Sequence, residues 1–245
     1  MGFVLTPTQS QILVAFRTVL LTALPSGIEI VLGQQSRLPE PPGTNFVVLT
    51  PILRFRLETN TDFYQDVLFT GSIIGSRLTV SNINFGIIRT AASPILFGVG
   101  IAPNTIITSQ VSGAPGGIGD YNISVAQTIT TQAMAAGVVG IEQPTRITIQ
   151  CDVHGPNSPD NVQIIATLMR SLYASELFRS LGVDADLLYA GEPKETPFFN
   201  AEQQVEWQWT VDACIQANQT VNVPQQFAGE LDIETPAPAD VTKPF

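Results

Sequence analysis

Cys151 and His154 are the first residues whose types and spacing could do chemistry. A thiolate and an imidazole three positions apart can both ligate zinc. A structural zinc takes four ligands, however, and the chain offers no second pair at a matching spacing. His154 is also the only histidine, so a Ser-His-Asp relay would have no other base, and no G-x-S-x-G elbow is present. Gly98-Val99-Gly100 and the glycines from Gly113 to Gly119 resemble phosphate-cradling loops. Neither group runs into a helix and no lysine follows, so they read as turn residues between strands. Asp184 and Asp186 fall in a segment that reads as a solvated loop rather than as a general acid and base. Trp207 and Trp209 could stack on bases or sugars. They alternate with Val205, Val211, Ala213 and Ile215 along one strand face, which predicts core positions. The residues therefore predict no catalytic group, no cofactor and no metal.

The bulk properties narrow the function classes further. The chain has 245 residues, 44% of them hydrophobic, and a formal net charge of -10. That length allows one large domain or two small ones with a real core. The acidic balance argues against tight binding to nucleic-acid phosphates, which needs clustered Lys and Arg. It is compatible with DNA passing nearby, because an acidic wall repels. No run approaches the roughly 20 apolar residues of a membrane helix, and no signal peptide is expected. Met1-Gly2 with Thr6 fits a myristoylation pattern short enough to arise by chance. Cys151 is expected on the apolar face of its strand and Cys214 on the polar face of another, so no bridge is expected. Reduced thiols fit synthesis in a cytosol.

The elements that would position these residues follow from periodicity. The stretch from Arg146 to Ser180 is the most legible. Ile147, Ile149, Cys151 and Val153 alternate with Thr148, Gln150 and Asp152, the signature of a half-buried strand. His154-Gly155-Pro156-Asn157 makes a turn. Ser158 as N-cap, Pro159 at the first position and Asp160 in the first turn then open a helix. Its apolar stripe runs through Val162, Ile165, Ala166, Met169, Leu172, Tyr173 and Leu177, and Gly182 is a plausible stop.

Earlier in the chain, Thr6-Pro7-Thr8-Gln9 predicts a capped helix carrying Ile12, Phe16, Val19, Leu20 and Ala23, with Arg17 its only charge. Ile28 to Leu32 reads as a short strand and Gly33 to Thr44 as a Pro-stiffened loop. Asn45 to Thr59 reads as a strand with Val47, Leu49, Leu53, Phe55 and Leu57 on one face and Thr50, Arg54, Arg56 and Glu58 on the other. Pro51 predicts an edge or a bulge there. From Leu68 to Gly137 the only charges are Arg77, Arg89 and Asp120, and short alternating runs separated by glycines predict an all-β module. Gln204 to Gln216 alternates as a strand. After Asn218, Pro224, Pro236, Pro238 and Pro244 predict an extended arm.

The expected fold is α+β: a mostly antiparallel sheet with two helices on one face and an inserted all-β subdomain. The expected division is a discontinuous domain from 1-67 and 138-217, an insert at 68-137 and an arm at 218-245. The sheet face opposite the helices, with Arg54, Arg56, Glu206, Gln208 and Thr210, is expected to be polar and open to neighbours.

Three stretches together carry a family resemblance. They are GQQSRLPEPPGTNFVVLTPI, RITIQCDVHGPNSPDNVQIIATLMRSLYASELFRSLGV and LLYAGEPKETPFFNAEQQVEWQWTVDACI, in that order and behind an N-terminal helix. This arrangement resembles the tail terminator or neck terminator proteins of tailed bacteriophages. The stretch FTGSIIGSRLTVSNINFG with GVGIAPNTIITSQVSGAPGGIGDYNISVAQTIT resembles a Gly-rich β module of phage structural proteins.

The resemblance implies a virion protein of the neck or tail, made in the host cytoplasm. It implies a homo-oligomeric ring, commonly a hexamer, that terminates the tail tube and joins it to the head connector or adaptor protein, with DNA crossing the lumen. It implies no enzyme, no cofactor and no membrane. A ring built head to tail needs two complementary surfaces per subunit. The candidates for assembly contacts are Arg54, Arg56, Glu206, Gln208, Pro224 and Phe227. Two alternatives stand beside this reading. One is a glycan- or host-surface-binding role carried by the β insert, and the other is a neighbouring ring layer such as a head-tail adaptor.

Overall fold

The computed structural model describes residues 3–33, 45–196, 198–199 and 205–226. In chain order the elements are β1 (Leu5–Thr6), α1 (Gln9–Ala23), β2 (Glu29–Leu32), β3 (Phe46–Arg56), β4 (Thr61–Phe85), a 3-10 turn (Thr90–Ala92), β5 (Ile95–Phe97), β6 (Ile107–Gln110), β7 (Gly119–His154), α2 (Ser158–Leu168), α3 (Leu172–Ser180), β8 (Ala185–Ala190), β9 (Lys194–Glu195), β10 (Phe198–Phe199), β11 (Val205–Glu206) and β12 (Gln208–Pro224). The class is α+β with strand predominating. Contacts divide the chain into two compact units, Met1–Phe63 with Gly140–Asn222 and Tyr64–Val139 with Val223–Phe245.

In the first unit the strand order is β1-β12-β7-β3-β2, and β8 and β9 also pair with β12. β3 and β7 pair antiparallel from Phe46↔His154 onward, whereas β2 and β3 run parallel from Glu29↔Phe46 to Leu32↔Leu49. The parallel pair departs from the expectation of short antiparallel links. The connection of β2 to β3 spans 33–45, long enough to return the chain to the same end.

The core explains the alternation seen in the sequence. Val47, Leu49, Ile147, Ile149, Cys151, Val153, Val211, Ala213 and Ile215 form one buried cluster with Ile12, Phe16, Val19 and Leu20 of α1, Val162 and Ile165 of α2, and Phe178 of α3. Each fully buried Leu, Ile or Phe contributes about 1.5–3 kcal/mol by leaving water.

α1 starts two residues later than the sequence predicts. Thr8, not Thr6, is the cap: its hydroxyl accepts from the Gln11 N–H at 3.2 Å, and the Gln11 side chain accepts from the Thr8 N–H at 2.8 Å. Pro7 precedes the helix in a cis peptide with Thr6.

The single helix expected after Asp160 is two helices, so the unit carries three α-helices in all among the described residues. Ser171 caps α3 by accepting from the Ala174 N–H at 3.2 Å, and the chain turns at Met169-Arg170. The break turns Leu172 and Tyr173 out to solvent, away from the stripe that predicted them buried. Ser158 is the first residue of α2 rather than its cap, and it is fully buried. Gly182 does end α3, at φ 71.

Among the described residues, the regular elements of the second unit are strands apart from the 3-10 turn. Its cluster joins Val67, Phe69, Ile73, Leu78 and Val80 of β4 to Leu96, Ile107, Tyr121, Ile123, Met134 and Ala136. β4 turns back near Gly75 (φ 63), and the Ser81 hydroxyl donates to the Thr70 C=O at 3.1 Å. β7 flanks the β5–β6 pair on both sides, through Ile107↔Ile123 and Ile95↔Gly137 with Ile95↔Ile106 between them. Because every one of these pairings is antiparallel, the two parts of β7 run in opposite directions. The Gly113 to Gly119 stretch is a turn, as expected. A Cβ at Gly113 (φ 93) would lie 2.0 Å from the Ile118 C=O oxygen, so the loop closes too tightly there for a side chain.

Candidate assembly surfaces

One bulge in β3 sorts the residues of the expected interface. The pairing runs regularly from Phe46↔His154 to Pro51↔Ile149, then shifts so that Leu53 faces Thr148, Arg54 faces Ile147, Phe55 faces Arg146 and Arg56 faces Thr145. Ile52 is the extra residue. Pro51 has no N–H to give to a ladder, which is where strands accommodate a bulge. Directly paired residues project to the same side of a sheet. Arg54 therefore shares the side of Ile147 and the core, and Leu53 and Phe55 share the side of Thr148 and Arg146. This reverses the expectation, which placed Leu53, Phe55 and Leu57 inward with Val47 and Leu49. Leu53 and Phe55 are 51% and 53% exposed.

On its side of the sheet Arg54 joins a hollow of about 540 Å³ lined by Leu5, Arg54, Arg56, Asn60, Ile141, Gln143, Thr145, Gln219 and Val221. Arg54 Nη1 donates to Gln219 Oε1 at 2.6 Å and Nη2 donates to Gln9 Oε1 at 3.0 Å. Gln219 is only 4% exposed, and its Nε2 donates to the Pro7 C=O at 2.7 Å. β1 pairs beside it through Leu5↔Val221 and Thr6↔Thr220, so Gln219 ties the N-terminal segment, β3 and β12 together. Arg56 Nε donates to the Glu58 C=O at 2.8 Å, and Gln143 Nε2 donates to Asn60 Oδ1 at 2.8 Å. Among the described residues neither arginine has a carboxylate partner. The ion pairs there are Arg170 with Glu192 and Arg179 with Asp186. The hollow thus presents two guanidinium groups held by neutral amides and carbonyls.

The opposite side of the same strands carries a different surface. The Arg146 guanidinium lies 5.0 Å from the Phe55 ring centroid, a cation–π distance, and Arg146 Nη1 donates to the Tyr189 hydroxyl at 3.1 Å. Hydrogen bonding to Cys214 raises the Tyr189 phenol above its ordinary value, and Arg146 opposes that shift. Leu53, Phe55 and Tyr189 are exposed here. Further along, Asp152 accepts from Gln150 Nε2 at 2.9 Å and from the Thr210 hydroxyl at 2.7 Å. Alternation predicted none of the Phe55–Arg146–Tyr189 contact, and the available signal was Pro51.

The remaining expected residues are dispersed. Gln208 opens β12 two residues before Thr210, so alternation puts it on the side of Asp152, away from Arg54 and Arg56. Glu206 belongs to β11, which pairs with β10 through Phe198↔Glu206. Pro224 ends β12, so Asn218 to Pro224 is strand and not the start of an arm. Phe227 and the rest of the expected arm lie outside the described residues.

Trp207 falls in the break between β11 and β12 and is 57% exposed, not core, whereas Trp209 packs against the cluster. Cys151 is a fully buried free thiol, raised well above its ordinary value first by burial and then by the charges of Asp152 and Asp212. Cys214 is also free and buried, with its Sγ 3.7 Å from the Thr148 hydroxyl. The His154 ring stacks on Phe46 with centroids 4.4 Å apart. Asp184 and Asp186 are engaged rather than solvated: Asp186 accepts from Arg179 Nε at 2.7 Å, and Asp184 accepts from Asn218 Nδ2 at 3.1 Å.

Among the described residues no three His, Cys, Asp or Glu side chains converge as a metal site, and no helix is long and apolar enough to cross a membrane. No curated protein matches the sequence. The family model described as phage neck terminator protein matches residues 105–238, from just before β6 to beyond the end of β12. That span exceeds half of the chain and includes the strand–turn–helix stretch, β8 and β12, so the chain belongs to the phage neck terminator family, structural proteins of the virion neck.

Proposed function

We propose that the protein assembles as a closed ring, six subunits in the simplest form, that ends the tail tube and meets the head connector. The observation that carries this reading is the pair of unlike surfaces on β3 and its neighbours. A ring closed by rotation joins two different patches of each subunit, and the Leu53–Phe55–Arg146–Tyr189 side and the Arg54–Arg56 hollow differ in chemistry. In this reading residues 1-67 and 138-217 make the ring body, with the helices on one face, and residues 68-137 are a module it carries. The formal charge of -10 suits a lumen that DNA crosses without sticking.

The first test is electron microscopy of particles made without this gene. Separate heads and tails, or tails of uncontrolled length, are expected. Normally joined particles that fail only to adsorb would overturn the reading and favour a surface-binding role for the β unit. At the level of the protein, native mass spectrometry is expected to show one closed oligomer. Phe55→Asp, which puts a carboxylate on the exposed apolar side, is expected to shift it toward monomer without changing the circular dichroism spectrum.

A further inference from the structure

We propose that the Arg54–Arg56 hollow of one subunit receives the acidic C-terminal segment of a second copy of this chain, through Glu230, Asp232 and Glu234. This rests on the ring reading and names one of its contacts. Three observations converge on it. First, the hollow holds two guanidinium groups and no carboxylate among its described lining residues, in a chain with 21 acidic and 11 basic residues. Its arginines are satisfied by neutral groups, at Gln219, Gln9, Asn60 and the Glu58 C=O. A carboxylate would replace neutral acceptors with charge-assisted ones, which are shorter and roughly twice as strong.

Second, the segment after Gln226 reads FAGELDIETPAPADVTKPF, with four acidic residues and one lysine. Third, the spacing matches. Arg54 and Arg56 sit two apart on a strand, and Glu230, Asp232 and Glu234 are each two apart in sequence. In an extended chain such residues recur every ~6.6 Å on one side, so successive carboxylates can meet successive guanidinium groups. The Gln225 N–H donates to the Gly137 C=O at 3.0 Å, and the 19 residues beyond Gln226 extend to roughly 60 Å.

The test uses full-length chains. One variant is Arg56→Glu, chosen because the Arg56 donors go only to the Glu58 C=O and Asn60 Oδ1 in an exposed turn. The other is Glu230→Lys with Asp232→Lys and Glu234→Lys. Each alone is expected to raise the concentration for half-assembly by about tenfold at 0.1 M salt, and by less at 0.5 M, because the contact is between charges. Mixing the two variants is expected to restore assembly, since each then offers the other a complementary charge. Restoration only when both sets of changes share one chain would place the segment in its own hollow and overturn docking between copies. A wild-type oligomer that neither variant weakens overturns the inference and leaves the ring intact. A wild-type chain that stays monomeric at every concentration overturns both.

Discussion

Replacing Gln219 with alanine should loosen the N-terminal segment as well as lower stability, and the size of the effect follows from the contacts. The substitution removes the acceptor that Arg54 Nη1 reaches at 2.6 Å and the donor that the Pro7 C=O receives at 2.7 Å. A hydrogen bond to a charged group contributes about 1.5–3 kcal/mol and a neutral one about 1 kcal/mol. Arg54 is exposed enough to turn to water, which brings the first figure to its lower end. The expected loss is about 2–3 kcal/mol, of the order of 1 M in urea midpoint.

The local signature should be larger than the global one. The N–H groups of Leu5 and Thr6, paired with Val221 and Thr220, should exchange with solvent faster than those of α1. Gln219→Glu keeps an acceptor for Arg54 but sets a carboxylate oxygen against the Pro7 C=O in place of the donor, so β1 should loosen in this variant too. A loss below about 0.5 kcal/mol with unchanged exchange at β1 would refute the role of Gln219 as the tie between β1, β3 and β12.

Cys151 makes stability depend on alkaline pH. Its folded-state value is raised by burial, so the thiol stays protonated in the native protein while the unfolded chain ionises near 8.5. The stabilisation is complete below that value and is lost as pH rises above it. At pH 10 the loss is about 2 kcal/mol from this one thiol, and urea titrations of wild type against Cys151→Ala should show the slope disappear in the variant. The same burial should leave Cys151 unlabelled by a thiol reagent at pH 8 until the protein unfolds. Gly113→Ala combines φ 93 with a Cβ only 2.0 Å from the Ile118 C=O oxygen and should cost over 2 kcal/mol. Gly182→Ala, at φ 71 with nothing within 4 Å, should cost only about 1 kcal/mol. Thermal denaturation of the two side by side checks the ordering.

The sequence made the core of the first unit legible because alternation in β7 and β12 and the stripe in α1 have one physical cause, burial of a single side. It made the glycine turns of the second unit legible because those positions demand backbone geometry that few residues adopt. It did not disclose the parallel pairing of β2, since nothing in EIVL says which way its partner runs. It merged α2 with α3 because Met169, Leu172 and Tyr173 continue a helical spacing across a turn. Only Ser171, a good cap in the middle of the run, marked the break. β8 was hidden between Asp184 and Pro193, although Ala185, Leu187 and Ala190 are buried. Alternation carried across the gap between β11 and β12 places Trp207 in the core, whereas the break turns it to solvent.

The assembly surfaces turned on a feature of another kind. Strict alternation through β3 would send Leu53, Phe55 and Leu57 inward and both arginines outward, giving one apolar side for the core and one polar side for solvent. Pro51 and the extra Ile52 change the parity. Arg54 and Arg56 move to the side where the Gln219 amide, β1 and the N-terminus of α1 meet, and Leu53 and Phe55 move to the side of Arg146 and Tyr189. One strand then contributes a cationic hollow on one side and an exposed apolar, aromatic surface on the other. A self-complementary dimer can use the same patch twice, but a ring joins one patch to a different one. The pairing register with β7 sets the side each residue takes, and the unpaired Ile52 is why alternation counted along the sequence misplaces them. Deleting Ile52 removes the bulge while leaving every observed pair of β3 and β7 in place, so the arginines should keep their side and the fold should persist. If the deletion instead returned Phe55 to a buried position, measured as loss of its exposure to solvent perturbation, the parity argument would be wrong.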